Sequence, residues 1–347
     1  MKLRWQLLTI LALSAVLALL PLGLGGDTFV MRILILALVY GVVGSAWDLI
    51  MGYAGVFTFG QVAFFGIGAY TTAMLTTAHG FSPWLGILAG GLVAGIVGVL
   101  IGLPCLRLKG SYVALLTFGV HMLFSAFVVG SLGTRLGTGG SGGILGIPPL
   151  SLFGHRFNAL ALGPWFYVAL AFFLLSMLII YRVIFSHTGT AFIALRDHEE
   201  RAKSLGIDAF RYKLLVFGIS AFLTGAVGAY YAHYTGVVSA RILSLDMFIL
   251  LMVMQVAGGL GIFPGTALAA LPILFINEYL GLYVDVYRPI IFGAAVLLLV
   301  LFLPRGILGT FGSRQGSPTL QRLSSSLRGK AKPERAEQAT QATEHRP

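Results

Sequence analysis

Long apolar runs separated by short polar segments set the pattern of this chain. By hydropathy the runs fall at residues 5–24, 31–51, 62–78, 84–103, 112–130, 164–185, 214–235, 246–262, 266–284 and 289–303. A helix needs about 20 apolar residues to cross the hydrocarbon core, because lipid offers no partner for unpaired backbone groups. The pattern predicts an all-α integral membrane protein of about ten transmembrane helices, with broken or re-entrant segments. The stretch from Gly52 to Ala78, with glycines at 52, 55, 60, 66 and 68, is expected to be such a break. The first run follows Lys2 and Arg4 and lacks a small-x-small cleavage site, so it reads as an uncleaved helix.

Composition agrees with the pattern: 57% of residues are hydrophobic and 10% charged, against roughly 45–50% and 25% in soluble domains. The net charge of +11 does not imply nucleic acid, since the cations cluster between apolar runs and in the polar C-terminal segment. With the N-terminus inside, 18 of the 23 lysines and arginines lie on the cytoplasmic side. The positive-inside rule then predicts a multi-pass protein of the cell (inner) membrane with both termini cytoplasmic, and therefore an even number of crossings. The expected division is a transmembrane domain over 1–310 and a polar, disordered cytoplasmic tail over 311–347.

Two polar segments interrupt the runs. Residues 131–163, glycine-rich and closed by Pro148 and Pro149, are expected to form an external loop too irregular for a helix. Residues 186–213 form the largest internal loop. Within it, Phe192, Leu195, Ala202 and Leu205 fall on one helical stripe, Thr188 or Thr190 can cap the start, and Gly206 sits where a left-handed C-cap belongs. Asp208 can cap the next helix. From the residues alone the segment is either a connector held in the cytoplasm by its charges or a short helix presented to a partner.

Glu200-x-Ala202-x-x-x-Gly206 resembles the cytoplasmic E-A-A-x-x-x-G loop of ATP-binding-cassette importer permeases. The runs at 52–70, 137–150, 194–239, 258–270 and 303–309 together resemble LivM-type permeases of branched-chain amino-acid importers. The likeness extends from about Gly41 to Gly309. It implies a subunit that pairs with a sibling permease, engages two ATP-binding subunits and receives a hydrophobic amino acid from a periplasmic or extracellular binding protein. It also makes Glu200, Ala202, Leu205 and Gly206 the ATPase-docking residues. Arg201 departs from the small residue usual in the family, Phe217 to Ser220 replace the proline-bearing end of the loop pattern, and Gly142 stands where an acidic or amide residue is common. Urea and short amides are the alternative cargo, because similar permeases carry them.

The candidate translocation path is placed at the two glycine breaks: Gly52, Tyr53, Gly55 and Gln61, and Gly258, Gly259 and Gly261. Interrupted helices free backbone groups that can line a polar route at membrane depth. Gly66-x-Gly68 and the glycines from 86 to 98 read instead as close helix packing. Asp48, His121, His233, Gln255, Asn277 and Glu278 read as interfacial or helix-pairing groups, since a charge at a helix centre costs about 2.5–3.5 kcal/mol. An ion-coupled transporter would need ionisable groups at mid-span, which the sequence hardly has. Gly139-x-Ser141-Gly142 matches an intramembrane serine protease only weakly. No G-x-x-x-x-G-K-[ST], H-E-x-x-H or multi-cysteine set is present beside the lone Cys105. No catalytic residue, metal or cofactor is expected, and the energy is expected from partner subunits.

Overall fold

The computed structural model describes residues 27–105, 108, 110–152, 155–158, 161–283 and 287–302. The expected span at 5–24, the 303–309 run and the tail at 311–347 lie outside the described residues.

Asp27 accepts from the Phe29 amide (3.1 Å) and so caps α1, Thr28–Asp48. Helix α1 runs on into one π-turn, Leu49–Tyr53, where the path breaks. After residues 54–60 the chain resumes as α2, Gln61–Ala78, then α3, Pro83–Cys105, and α4, Ser111–Val129. The long loop that follows holds a one-turn helix, α5 (Ser131–Arg135), and three two-residue strands: β1 (Ile144–Leu145), β2 (Ser151–Leu152) and β3 (His155–Arg156). It is therefore more ordered than its glycine content predicts. Strand β1 pairs antiparallel with β4 (Val237–Val238), Ile144 opposite Val238, while His233 Nδ1 donates to the Pro148 carbonyl (2.7 Å) and its Nε2 is hydrogen-bonded to Thr72 Oγ1 (2.8 Å). These tertiary bonds tie the loop to the ends of the bundle.

Helix α6, Leu162–Ile184, leads to α7, His187–Asp197, and α8, Glu199–Ser204. Helix α9, Ala209–Thr235, is the longest, followed by α10, Leu245–Gly258, α11, Gly265–Tyr283, and α12, Arg288–Phe302. Helix α1 with its π-turn, α3, α4, α6, α9 and α11 are long and apolar enough to cross a membrane. Helix α2 has the length, but Gln61 and its threonines make it more polar. Helices α10 and α12, of 14 and 15 residues, are short of a bilayer at 1.5 Å per residue. Nine of the ten predicted runs thus have a helix among the described residues, and the run at 246–262 ends early, at Gly258.

The core is a sandwich of α2, α3 and α9 in which small residues let backbones touch. A Cβ on Gly68 would lie 2.0 Å from the Gly225 carbonyl oxygen, and one on Gly98 would lie 2.4 Å from Ala221 Cβ. In lipid, where burying apolar surface between helices gains little, such close approach is what holds helices together. Helix α1 is buried over most of its length, from Ile33 to Asp48, against its neighbours. Loop 186–213 and the π-turn share one end of the bundle, the loop end, and β1 and β4 lie at the other, the far end.

Candidate functional site

Both glycine breaks meet at the loop end, although some 200 residues separate them. Asp48, the last residue of α1, is 4% exposed and accepts from Gly261 N–H (2.8 Å) and from Gln255 Nε2 (3.0 Å). Tyr53 Oη accepts from Phe263 N–H (3.1 Å). The π-turn brings Gly52 against the second break so closely that a Cβ there would lie 2.1 Å from Asp48 Oδ1 and 2.2 Å from Gly261 N. Only glycine fits that approach. π-Turns of this kind are common at functional positions.

The freed backbone of the first break is satisfied by side chains. Trp47 Nε1 donates to the Thr58 carbonyl (2.8 Å), and Thr117 Oγ1 accepts from Phe59 N–H (2.8 Å). Gln61 lies beside the junction rather than in it, donating to Ser220 Oγ (3.1 Å) and to Thr224 Oγ1, while Ser220 Oγ donates to the Ala46 carbonyl. Gly258 packs against Thr266, and Gly259 N–H returns to the Gln255 carbonyl (3.2 Å). The recess bounded by Ser45, Asp48, Ile262 and Thr266 has no space for a water-sized body.

The internal loop reaches into this junction. Arg196, in the last turn of α7, donates from Nη1 to the Gly52 carbonyl (2.6 Å) and from Nε to Asp197 Oδ1 (2.9 Å). Gly55 packs on the same side chain, its absent Cβ leaving the space that Arg196 Cγ fills. Asp48 and Arg196 are close enough to interact electrostatically. Sequence reasoning left Asp48, Gln255 and Arg196 out of the path. The signal was an acidic residue four positions before a glycine break, with no local partner.

The loop itself departs from the single helix expected over 190–205. His198 adopts an extended conformation (φ −153°, ψ 85°) that ends α7 and starts α8 in a new direction. This lets Ala202 fold back onto Leu195 and Ala209 in a small satellite core. Leu205 leaves the stripe and is 82% exposed. The predicted cap at Thr188 or Thr190 is also displaced: Ser186 holds the N-cap position, and Thr188 Oγ1 is paired with Ser186 Oγ. Two other expectations match the structure. Gly206 is left-handed (φ +84°) with its N–H on the Lys203 carbonyl (2.9 Å), and Asp208 Oδ1 caps α9 at Phe210 N–H (3.1 Å) and Arg211 N–H (3.2 Å).

Glu199 ties α8 to the bundle, and Glu200, the residue expected to meet a docking partner, points away from it. Its carboxylate meets Lys213 (2.7 Å) and Lys203 (3.1 Å), whereas the Glu200 side chain is 86% exposed and touches only Lys203. Burial would raise the Glu199 pKa, but the hydrogen bonds and charges of Lys213 and Lys203 together hold it below the usual carboxylate value. Leu205, Gly206 and Phe210, around the turn between α8 and α9, are all exposed, an apolar tip on a charged loop.

A family model described as branched-chain amino acid transport system, permease component, matches residues 29–303. The chain is 31% identical over 294 residues to the high-affinity branched-chain amino acid transport system permease protein LivM of Escherichia coli, covering 79% of this chain and 68% of that one. It is 30% identical to the LivM protein of Salmonella typhimurium over the same shares. It is also 22% identical to a probable branched-chain amino acid transport permease protein LivM of Methanocaldococcus jannaschii, covering 78% of this chain and 90% of that one. No solved structure matches the chain.

Proposed function

The chain belongs to the family of branched-chain amino-acid transport permease components, and on that premise we propose that it is a membrane-spanning subunit of an ATP-driven importer of hydrophobic amino acids. In this reading a sibling permease completes the pore, two ATP-binding subunits dock on loop 186–213, and a binding protein delivers solute at the far end. Loop 186–213 is then cytoplasmic, as are both termini.

One observation supports the mechanism: Arg196 of the loop is hydrogen-bonded to Gly52 inside the junction of the two glycine breaks. Docking subunits hold the apolar tip at Leu205, Gly206 and Phe210. When they move α7 and α8, Arg196 is drawn with α7, and its bond to the Gly52 carbonyl transmits the displacement to the π-turn. The contact between Gly52 and Gly261 leaves no gap, so it acts as a closed inner gate, and parting the two glycines opens it toward the cavity beside Tyr53 and Phe263. Asp48, Gln255 and Tyr53 re-form the gate when the loop returns. The change is an exchange between two packed states biased by the partners.

The test is uptake of labelled L-leucine by proteoliposomes holding the whole assembly with its binding protein. We expect uptake only with ATP on the loop side. A charge-assisted hydrogen bond is worth about 1.5–3 kcal/mol, so Arg196→Gln should lower leucine-stimulated ATPase and uptake roughly tenfold or more while both ATP-binding subunits stay bound. Uptake without ATP, or wild-type coupling in this variant, would count against the reading.

A further inference from the structure

A cavity of about 370 Å³ opens near the far end, where α1, α9, α10, α11 and α12 come together. Three charged side chains line it: Arg241 from the short turn Ala240–Leu243, Asp246 from the first turn of α10, and Glu278 on α11. Asn277 Nδ2 donates to Glu278 Oε1 (3.3 Å) and so steadies that carboxylate. Leu36, Leu250 and Leu274 supply an apolar wall. Among the described residues no ion pair joins Arg241 to Asp246 or Glu278.

Charges of both signs that face a shared space beside apolar surface, without pairing with each other, are suited to a ligand that carries both complements. Such a ligand needs an anionic group, a cationic group and an apolar body. The volume lies within the range of small-ligand sites, roughly 300–1,000 Å³. We propose that this cavity is an amino-acid binding site within the permease. Arg241 takes the α-carboxylate, Glu278 takes the α-ammonium with Asp246 adding negative potential, and the side chain lies on the leucine wall. The assignment rests on the importer reading given above.

The cavity is also mechanically joined to the inner gate. Helices α10 and α11 flank the second break, ending at Gly258 and starting at Gly265, and α1 carries both Leu36 at the cavity and Asp48 at the gate. A ligand that draws α10 and α11 together therefore acts on the same three elements that Asp48, Gln255 and Gly261 hold at the loop end.

The experiment uses the membrane complex of both permeases and both ATP-binding subunits in nanodiscs, without binding protein and without nucleotide. Binding of labelled L-leucine is competed with leucinamide, which lacks the carboxylate, and with 4-methylpentanoate, which lacks the ammonium. We expect the wild type to prefer leucine over both. Arg241→Gln should weaken leucine binding roughly ten- to a hundredfold and erase the preference over leucinamide. Glu278→Gln should erase the preference over 4-methylpentanoate instead. Arg241→Lys, which keeps the charge, should fall between. This analogue-specific split is not produced by poor folding. Wild-type affinity and discrimination in the Gln variants, or no leucine binding by the wild-type complex, would overturn the site while ATP-driven leucine uptake still upheld the importer reading. Shielding of Ser239→Cys, in a Cys105→Ser background, from thiol reagents both with and without leucine would assign the cavity to the sibling permease and overturn the site. Absence of leucine uptake by the wild-type assembly with its binding protein would remove both.

Discussion

The two ends of the bundle use the same kinds of residue to opposite effect. At the loop end Asp48 and Arg196 are satisfied by Gly261, Gln255 and Gly52, the recess behind Asp48 is filled, and the cavity of about 440 Å³ beside Tyr53, Gly261 and Phe263 is lined by no charged side chain. At the far end Arg241, Asp246 and Glu278 surround an open cavity. The difference lies in what the backbone offers. Glycines at 52 and 261 let two chain segments touch, so polar groups pair across the contact. Around the far cavity bulky side chains such as Leu250, Leu274 and Phe292 keep the elements apart, so its charges face space. A buried polar group that is fully paired rigidifies its surroundings, whereas the exposed Arg241 and Asp246 and the half-buried Glu278 are not tied to one another.

The sharpest way to break this comparison is to add bulk where no room exists. Gly52→Val would drive methyl groups into Asp48 and the Gly261 backbone, and backbone cannot move aside as a flexible side-chain tip can. We expect leucine uptake to be lost. Uptake at wild-type level in proteoliposomes with equal amounts of assembled complex would show that the junction is looser than its geometry implies.

A smaller effect should come from Gly206→Arg, one step outside the junction. Nothing lies within 4 Å of the position a Cβ would occupy, so the change creates no clash within the chain. Its left-handed backbone (φ +84°) adds strain on the order of 1 kcal/mol. The added side chain stands where a docking subunit is proposed to sit. Solute-stimulated ATPase should fall several-fold with membrane abundance unchanged. Full stimulation, with normal retention of the ATP-binding subunits, would return loop 186–213 to the status of a connector.

The smallest expected effect belongs to Glu199, which ties α8 to α9 through a partly exposed ion pair. Such pairs contribute roughly 0–1 kcal/mol. Because its pKa is lowered in the fold, its contribution is present above the ordinary carboxylate value and is lost as pH falls through the folded value. Hydrogen exchange of α8 amides should therefore quicken slightly on acidification, after correction for the intrinsic rate, and Glu199→Gln should remove that pH dependence. An identical pH response in the variant would mean that another group holds α8.

Much of this was legible from local composition. The apolar runs located the helices because membrane insertion responds to hydropathy summed over about 20 residues, a property of each segment alone. Gly206 and Asp208 were readable as caps for a similar reason, since a cap depends on the few residues around it. The two glycine breaks could be found by composition, but not that Gly52 meets Gly261. The break of the loop helix at His198 is not legible in the sequence, because helical periodicity carries no information about the pull of Lys213 on Glu199 or the small core of Leu195, Ala202 and Ala209.

Sequence by itself thus determined that the chain spans a membrane, where its helices lie, and which segments could not be plain helix. Tertiary structure decided which polar groups would pair and which would face a cavity. Asp48 with Gly261, Arg196 with Gly52 and Tyr53 with Phe263 are separated by 213, 144 and 210 residues. Whether such groups meet depends on how all the intervening helices pack, because a hydrogen bond weakens steeply beyond about 3.2 Å or out of line. Hydropathy is fixed before the chain folds; that alignment exists only once the small residues of α2, α3 and α9 have set the distances between helices.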